Sequence, residues 1–288
     1  MVFLKPAAMH LLVDAGRLRQ HLHDPDWILL DCRHDLFDGP RGARVYAESH
    51  VPGASLVPVE TALSGTKTGT NGRHPSPSAA DFAAFLNQHG VTPATQLVAY
   101  DDAGGQYAAR LWWLARWIGL SRVAVLDGGW NKWLADGQPV TTVVPTLRGG
   151  GTIVPKPDSA PVCTSADVLA GLQAGESHVL DARTAERFRG ENEPIDPVAG
   201  RIPTARNRFF KLNLNADLTM RPAAELKREF EDLLAGWHPA QVIHQCGSGV
   251  TACANLLAME YAGLPGSRLY PGSWSEWIAA PTRPVARG

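Results

Sequence analysis

The polar and apolar positions of this chain fall into a pattern that occurs twice. Ile28-Leu-Leu-Asp-Cys-Arg33 is a short apolar run ending in Asp-x-Arg, and His178-Val-Leu-Asp-Ala-Arg183 repeats it. Both predict buried strands. Downstream, His50-Val-Pro-Gly-Ala54 is matched by Arg201-Ile-Pro-Thr-Ala205, where proline marks a turn. Leu97-Val-Ala-Tyr100 then pairs with Val242-Ile-His-Gln245, each a strand running into a glycine-containing loop and a helix-like segment, such as Leu111-Trp-Trp-Leu114 with Trp117-Ile118. Leu126-Asp-Gly-Gly-Trp130 with Trp133 is matched last, by Tyr270-Pro-Gly-Ser-Trp274 with Trp277. The order is preserved and the spacing nearly so: 150 residues separate Ile28 from His178, and 144 separate Leu126 from Tyr270. The alternation of strand, loop and helix predicts an α/β fold of two tandem domains, each a parallel sheet flanked by helices. Prolines at 145, 155, 157 and 161 and the glycines 149–151 mark the junction, so the expected division is 1–140, a linker 141–161, and 162–288.

Composition narrows the function classes. The chain has 288 residues, enough for two units of about 150 residues each, and is 44% hydrophobic and 19% charged. No apolar run approaches the roughly 18 residues that cross a bilayer. Lys plus Arg number 27 against 28 Asp plus Glu, with no block of like charge, so nothing marks a nucleic-acid or membrane partner. Four cysteines, Cys32, Cys163, Cys246 and Cys253, are too few for a disulfide scaffold and suit a reducing compartment. The first ten residues carry no leader pattern, which gives a cytoplasmic expectation. The oligomeric state is left open.

The two copies part company in one loop. After its strand the first copy has Asp101-Asp102-Ala-Gly-Gly-Gln106, and the second has Cys246-Gly-Ser-Gly-Val-Thr-Ala252. Only the second carries a nucleophile, at the carboxyl end of a strand, where α/β sheets bind ligands. Gly247 and Gly249 permit positive φ and close backbone approach, so successive N–H groups can form a nest around the sulfur. A helix expected from Thr251 to Ala262 adds its positive end, and such settings lower a thiol from ~8.5 toward ~3.5–7.5. The plain alternative for Cys246 is a small buried hydrophobe, which is also the reading for Cys32 and Cys163. Cys253 is a candidate resolving thiol for a redox relay.

Competing chemistries lack their partners. A cysteine phosphatase needs arginine at the sixth position after the cysteine, and Ala252 stands there. Amidase chemistry needs an oriented base; His244 alternates with Cys246 along the strand, but no triad is legible. No metal-ligand spacing occurs, so neither a metal nor another cofactor is expected. Sulfur transfer through a persulfide remains, since amide donors suit both the thiolate and the persulfide anion.

The Cys246–Ala252 loop, the stretch Tyr46-Ala-Glu-Ser-His50-Val-Pro-Gly-Ala54, and Tyr270-Pro-Gly-Ser-Trp274-Ser-Glu-Trp277 resemble the signatures of tandem-domain rhodanese-type sulfurtransferases. The resemblance spans nearly the whole chain. It implies two rhodanese-like domains, a silent first and a catalytic second, with the site in the cleft between them. The Cys-Gly-Ser-Gly-Val-Thr-Ala loop is similar to those of 3-mercaptopyruvate sulfurtransferases, whereas thiosulfate-preferring members place cations after the cysteine. The implied reaction moves sulfur from 3-mercaptopyruvate, or alternatively thiosulfate, through Cys246 to a thiol or cyanide. A non-catalytic anion- or protein-binding scaffold is the alternative of another class.

Carried over position by position, the resemblance makes Arg187 the donor-binding arginine and Ser248 the hydroxyl that polarises the donor. His74, in Gly72-Arg73-His74-Pro75, and Glu60 become the assisting histidine and acid. The loop residues Gly247, Gly249, Val250 and Thr251 line the substrate site. Asp31, Arg33, Asp181 and Arg183 recur in both copies and read as buttresses. Two departures stand out: Arg201 replaces the usual histidine of the second turn, and Ile195-Asp196 replaces a second carboxylate-binding arginine, for which Arg201 is the candidate substitute.

Overall fold

A computed structural model describes residues 11–157 and 159–288. Residues 1–10, on which the expectation about a leader falls, lie outside them. Among the described residues, nine strands form two sheets: β1 (Leu12–Val13), β2 (Trp27–Asp31), β3 (Ser55–Leu56), β4 (Gln96–Tyr100) and β5 (Val123–Leu126) in the first; β6 (Val179–Asp181), β7 (Arg206–Asn207), β8 (Ile243–Gln245) and β9 (Arg268–Leu269) in the second. The orders are β1-β5-β4-β2-β3 and β7-β6-β8-β9, all pairings parallel. The second order repeats β3-β2-β4-β5, and a lone parallel bridge from Val162 to Leu269 stands where β1 pairs with β5. The inner strands β2, β4 and β5 of the first sheet are nearly continuous apolar runs, as expected of a parallel sheet covered on both faces.

The repeated Asp-x-Arg runs are buttresses, as expected. Arg33 Nη2 donates to Asp31 at 2.7 Å and to the Ser49 carbonyl at 2.7 Å; Arg183 Nη2 donates to Asp181 at 2.7 Å and to the Gly200 carbonyl at 2.8 Å. Each guanidinium lies over the tryptophan of its own copy, 4.2 Å from the Trp130 ring and 4.8 Å from Trp274. The tryptophan motifs therefore cap a buried, bidentate ion pair in each domain.

Helix Gln106–Trp117 follows β4, and helix Thr251–Tyr261 follows β8. The two pack against each other, and Leu111, Trp112, Trp113, Cys253, Leu256 and Leu257 share one apolar core. Both helices are buried nearly all round, which suits their lack of a polar face. Their contact sets the loops at their N-termini facing a common cleft. The segment between the domains is strapped to the first one: the Thr152 and Lys156 amides donate to the Val91 and Ile118 carbonyls. No helix among the described residues is long and apolar enough to cross a membrane.

Candidate active site

β8 ends at Gln245, so Cys246 is the first residue of its loop. The loop backbone is sewn to residues 273–275: Cys246 N–H donates to Ser273 Oγ at 3.1 Å, and the Cys246 and Gly247 carbonyls accept from Trp274 and Ser275 at 3.0 and 2.9 Å. Ser273 holds a left-handed φ of 53°, a strain its buried hydroxyl offsets by also donating to the Tyr270 carbonyl. Gly249 has φ 78°, and a Cβ there would collide with the Pro271 carbonyl. Its N–H donates to Cys246 Sγ at 3.1 Å. The expected glycine roles thus divide. Gly249 supplies the left-handed turn and the amide on sulfur, whereas Gly247 is not left-handed and supplies room: a Cβ on it would lie 2.9 Å from Arg73 Nη2 and 3.3 Å from Arg187 Nη2. Among the described residues one amide, not a ring of them, donates to the sulfur.

Cys246 is 2% exposed and forms part of the floor of a cleft of about 550 Å³. Leu36, Arg73, His74, Gln106 and Tyr107 line it from the first domain, and Arg187, Ile195, Gly247, Ser248, Val250 and Thr251 from the second. At the matching place in the first copy, Asp101 fills its own loop. Its Oδ1 accepts the Ala103 and Gly105 amides, both at 2.8 Å, and its Oδ2 accepts those of Tyr107 and Ala108 at 2.8 and 2.9 Å. That nest is already filled by a side-chain carboxyl, which burial pushes above its ordinary range even though four amides bond it.

Ser248, His74 and Glu60, dispersed in sequence, form a chain. Ser248 Oγ is 2.7 Å from His74 Nδ1, and His74 Nε2 is 2.9 Å from Glu60 Oε1. Glu60 Oε2 accepts from Lys67 at 2.9 Å. Burial opposes the ionisation of Glu60, but the bonds from Lys67 and His74 outweigh it and hold the carboxyl below its usual range. Burial drives His74 down to about 4 despite the pull of Glu60, so the ring is neutral at pH 7. The network then assigns the proton to Nε2, facing the carboxylate, and leaves Nδ1 to accept from the Ser248 hydroxyl.

The side of the cleft expected to bind a donor differs from expectation in its second cation. Arg187 is present, with Nε 3.0 Å from Glu193 and Nη2 2.9 Å from Asp196. Arg201 is not brought to the cleft: its guanidinium lies 4.9 Å from the Phe188 ring and bonds the Gly288 carbonyl. Arg73 stands beside Arg187 instead, fixed by its amide on Ser275 Oγ at 2.9 Å and paired with Asp196. Arg73 was legible only as a neighbour of His74. Behind the cysteine loop, the fully buried Arg110 has no carboxylate partner among the described residues. Its donors reach the Gly249 and His74 carbonyls at 3.3 Å each and Ser76 Oγ at 3.2 Å.

Other candidates fall away. His244 turns from Cys246 to Ser267 Oγ at 3.1 Å, and burial drives it to about 3. Cys253 is buried with Sγ on the Gly249 carbonyl at 3.3 Å, and burial pushes it to about 12. No group of three or more metal-ligating side chains occurs among the described residues.

Two of the buried histidines, His74 and His244, carry a prediction. Unfolding returns both to about 6.5, so below that pH the unfolded chain binds more protons and is favoured. Stability is therefore full above about pH 7 and declines as pH falls from 6.5 toward 4 and 3. Between pH 7 and pH 5 the expected loss is about 2 kcal/mol per histidine. Urea denaturation at the two pH values checks it, and equal stabilities would contradict neutral burial of both rings.

Fold and cleft together are those of an α/β protein whose two parallel sheets flank a cleft lined by a cysteine and two arginines. The rhodanese-like domain pattern matches residues 14–136 and again 164–280, and the chain belongs to that family. It is 45% identical over 279 residues, 96% of this chain and 98% of the other, to the "Probable 3-mercaptopyruvate sulfurtransferase" of Pseudomonas aeruginosa. It is 34% identical over 258 residues, 87% of this chain and 85% of the other, to the thiosulfate sulfurtransferase of Cricetulus griseus. Among solved structures, the 3-mercaptopyruvate sulfurtransferase of Leishmania major superposes with a TM-score of 0.84 at 27% identity, covering 98% of this chain and 77% of the other.

Proposed function

We propose that this sulfurtransferase takes sulfur from 3-mercaptopyruvate onto Cys246 and passes it to a thiol or cyanide. One juxtaposition carries the reading: a cysteine sulfur held by the Gly249 amide on the floor of a cleft that also presents Arg73 and Arg187. The arginines orient the donor carboxylate. The Cys246 thiolate attacks the donor sulfur, an S–S bond forms, and the C–S bond breaks with its electron pair going to the enolate of pyruvate. The proton leaving the terminal sulfur ends on the enolate carbon, relayed by Ser248 and His74, so cysteine persulfide and pyruvate result. An acceptor then attacks the outer sulfur and restores the thiolate.

Thiosulfate is the second donor, by the same persulfide. The uncharged Gly247 and Ser248 and the proton chain favour mercaptopyruvate, because a carbon leaving group needs a proton and sulfite does not. A binding scaffold would have no use for the Ser248–His74–Glu60 chain. Four free cysteines suit a reducing cytoplasm. The test is an intact mass of the pure protein after mercaptopyruvate treatment: a gain of one sulfur, removed by cyanide, is expected. No gain from either donor would refute the reading.

A further inference from the structure

Asp196 joins the two arginines of the cleft across the domain interface. Its side chain is 2% exposed; one oxygen pairs with Arg73 of the first domain and the other accepts from Arg187 of the second at 2.9 Å. The charges around it cancel. Glu193 bonds Arg187 at 3.0 Å and Arg183 at 3.4 Å, and Arg183 is paired with Asp181. Three guanidiniums thus face three carboxylates in one connected cluster. Yet Arg73 Nη2 and Arg187 Nη1 make no hydrogen bond among the described residues, and they lie 2.9 and 3.5 Å from where a Cβ on Gly247 would stand. The subsite beside Cys246 therefore offers directed N–H donors without excess positive charge.

We propose that Asp196 sets the donor preference, by cancelling the surplus charge of the arginine pair so that a monoanionic carboxylate is taken over a dianion. The inference rests on the sulfurtransferase reading above. A carboxylate needs two oriented donors and one unit of compensation, which its own binding to N–H groups largely supplies. A dianion such as thiosulfate brings a second charge that nothing in the neutral cluster balances. Ile195 lines the cleft and Asp196 does not, so Asp196 acts through the arginines and not by touching the donor. It is a specificity-determining residue, not a catalytic one.

Coulomb's law fixes the form of the expected effect, because a dianion feels the loss of a nearby charge twice as strongly as a monoanion. Its rate factor is the square of the other. In the full-length protein with cyanide as acceptor, Asp196→Asn should raise kcat/KM about threefold for mercaptopyruvate and about tenfold for thiosulfate. Added salt should shrink the difference. Arg73→Met is the mirror variant and does not ask an amide to bridge two cations: it should lower kcat/KM more for thiosulfate than for mercaptopyruvate. Equal factors for the two donors in either variant, or a loss with both in Asp196→Asn, would overturn the proposal. Failure of the wild-type protein to gain sulfur at Cys246 would instead refute the underlying reading.

Discussion

Cys246→Ser is expected to abolish sulfur transfer, with turnover down at least ~10⁴-fold and the one-sulfur mass gain gone. Serine fits the loop, since its oxygen can take the Gly249 amide that now bonds Sγ. A neutral hydroxyl, however, neither attacks sulfane sulfur nor carries it. No other thiol can take over. Burial pushes Cys163 up to about 11 and Cys253 to about 12, and raises Cys32 well above its ordinary value, so all three stay protonated. Unchanged circular dichroism, with activity and mass measured on the same sample, makes the result unambiguous. Residual turnover within tenfold of the wild type would move the chemistry elsewhere.

His74→Gln should cut kcat with mercaptopyruvate by ~10²–10³ and with thiosulfate by less than ~10-fold. The asymmetry follows from the leaving groups. In the proposed reaction the pyruvate enolate must acquire a proton through Ser248 and His74, which lie 2.7 Å apart, with Glu60 2.9 Å from the far ring nitrogen. Sulfite departs as an anion and needs none. Glutamine removes the basic nitrogen while keeping a polar group against Glu60. Side-by-side kcat values for the two donors decide the matter: equal losses would make His74 a packing residue, because poor folding depletes active protein alike for both substrates.

Repetition made the fold readable. A chain that writes most of its strands twice supplies its own comparison, and the Asp-x-Arg runs and tryptophan motifs prove to be two halves of one capped ion pair in each domain. The difference between Asp101 and Cys246 was equally plain, although the four amides that satisfy Asp101 were not. What repetition does not disclose is how the copies face each other. His74 meets Ser248 across 174 residues of chain, a meeting set by the packing of two helices and by bonds across the cleft. Arg73 escapes notice for the same reason. Arg201 suggests a substitute cation by its place in a turn, but Phe188 and the C-terminal carbonyl compete for it in space. His244 marks the limit of the alternation rule: side chains alternate only while a strand lasts, and Cys246 lies just beyond its end.

The buried cation Arg110 gives the duplication a one-way character. Its guanidinium grips carbonyls on both the histidine segment and the cysteine loop, and a guanidinium so deeply buried is tolerable only while those oxygens surround it. Severing the halves would strip it of the Gly249 carbonyl and bare a tryptophan-lined helix to water. The copy without a nucleophile is thereby the keystone of its sibling's loop, and neither half of this seam is complete without the other.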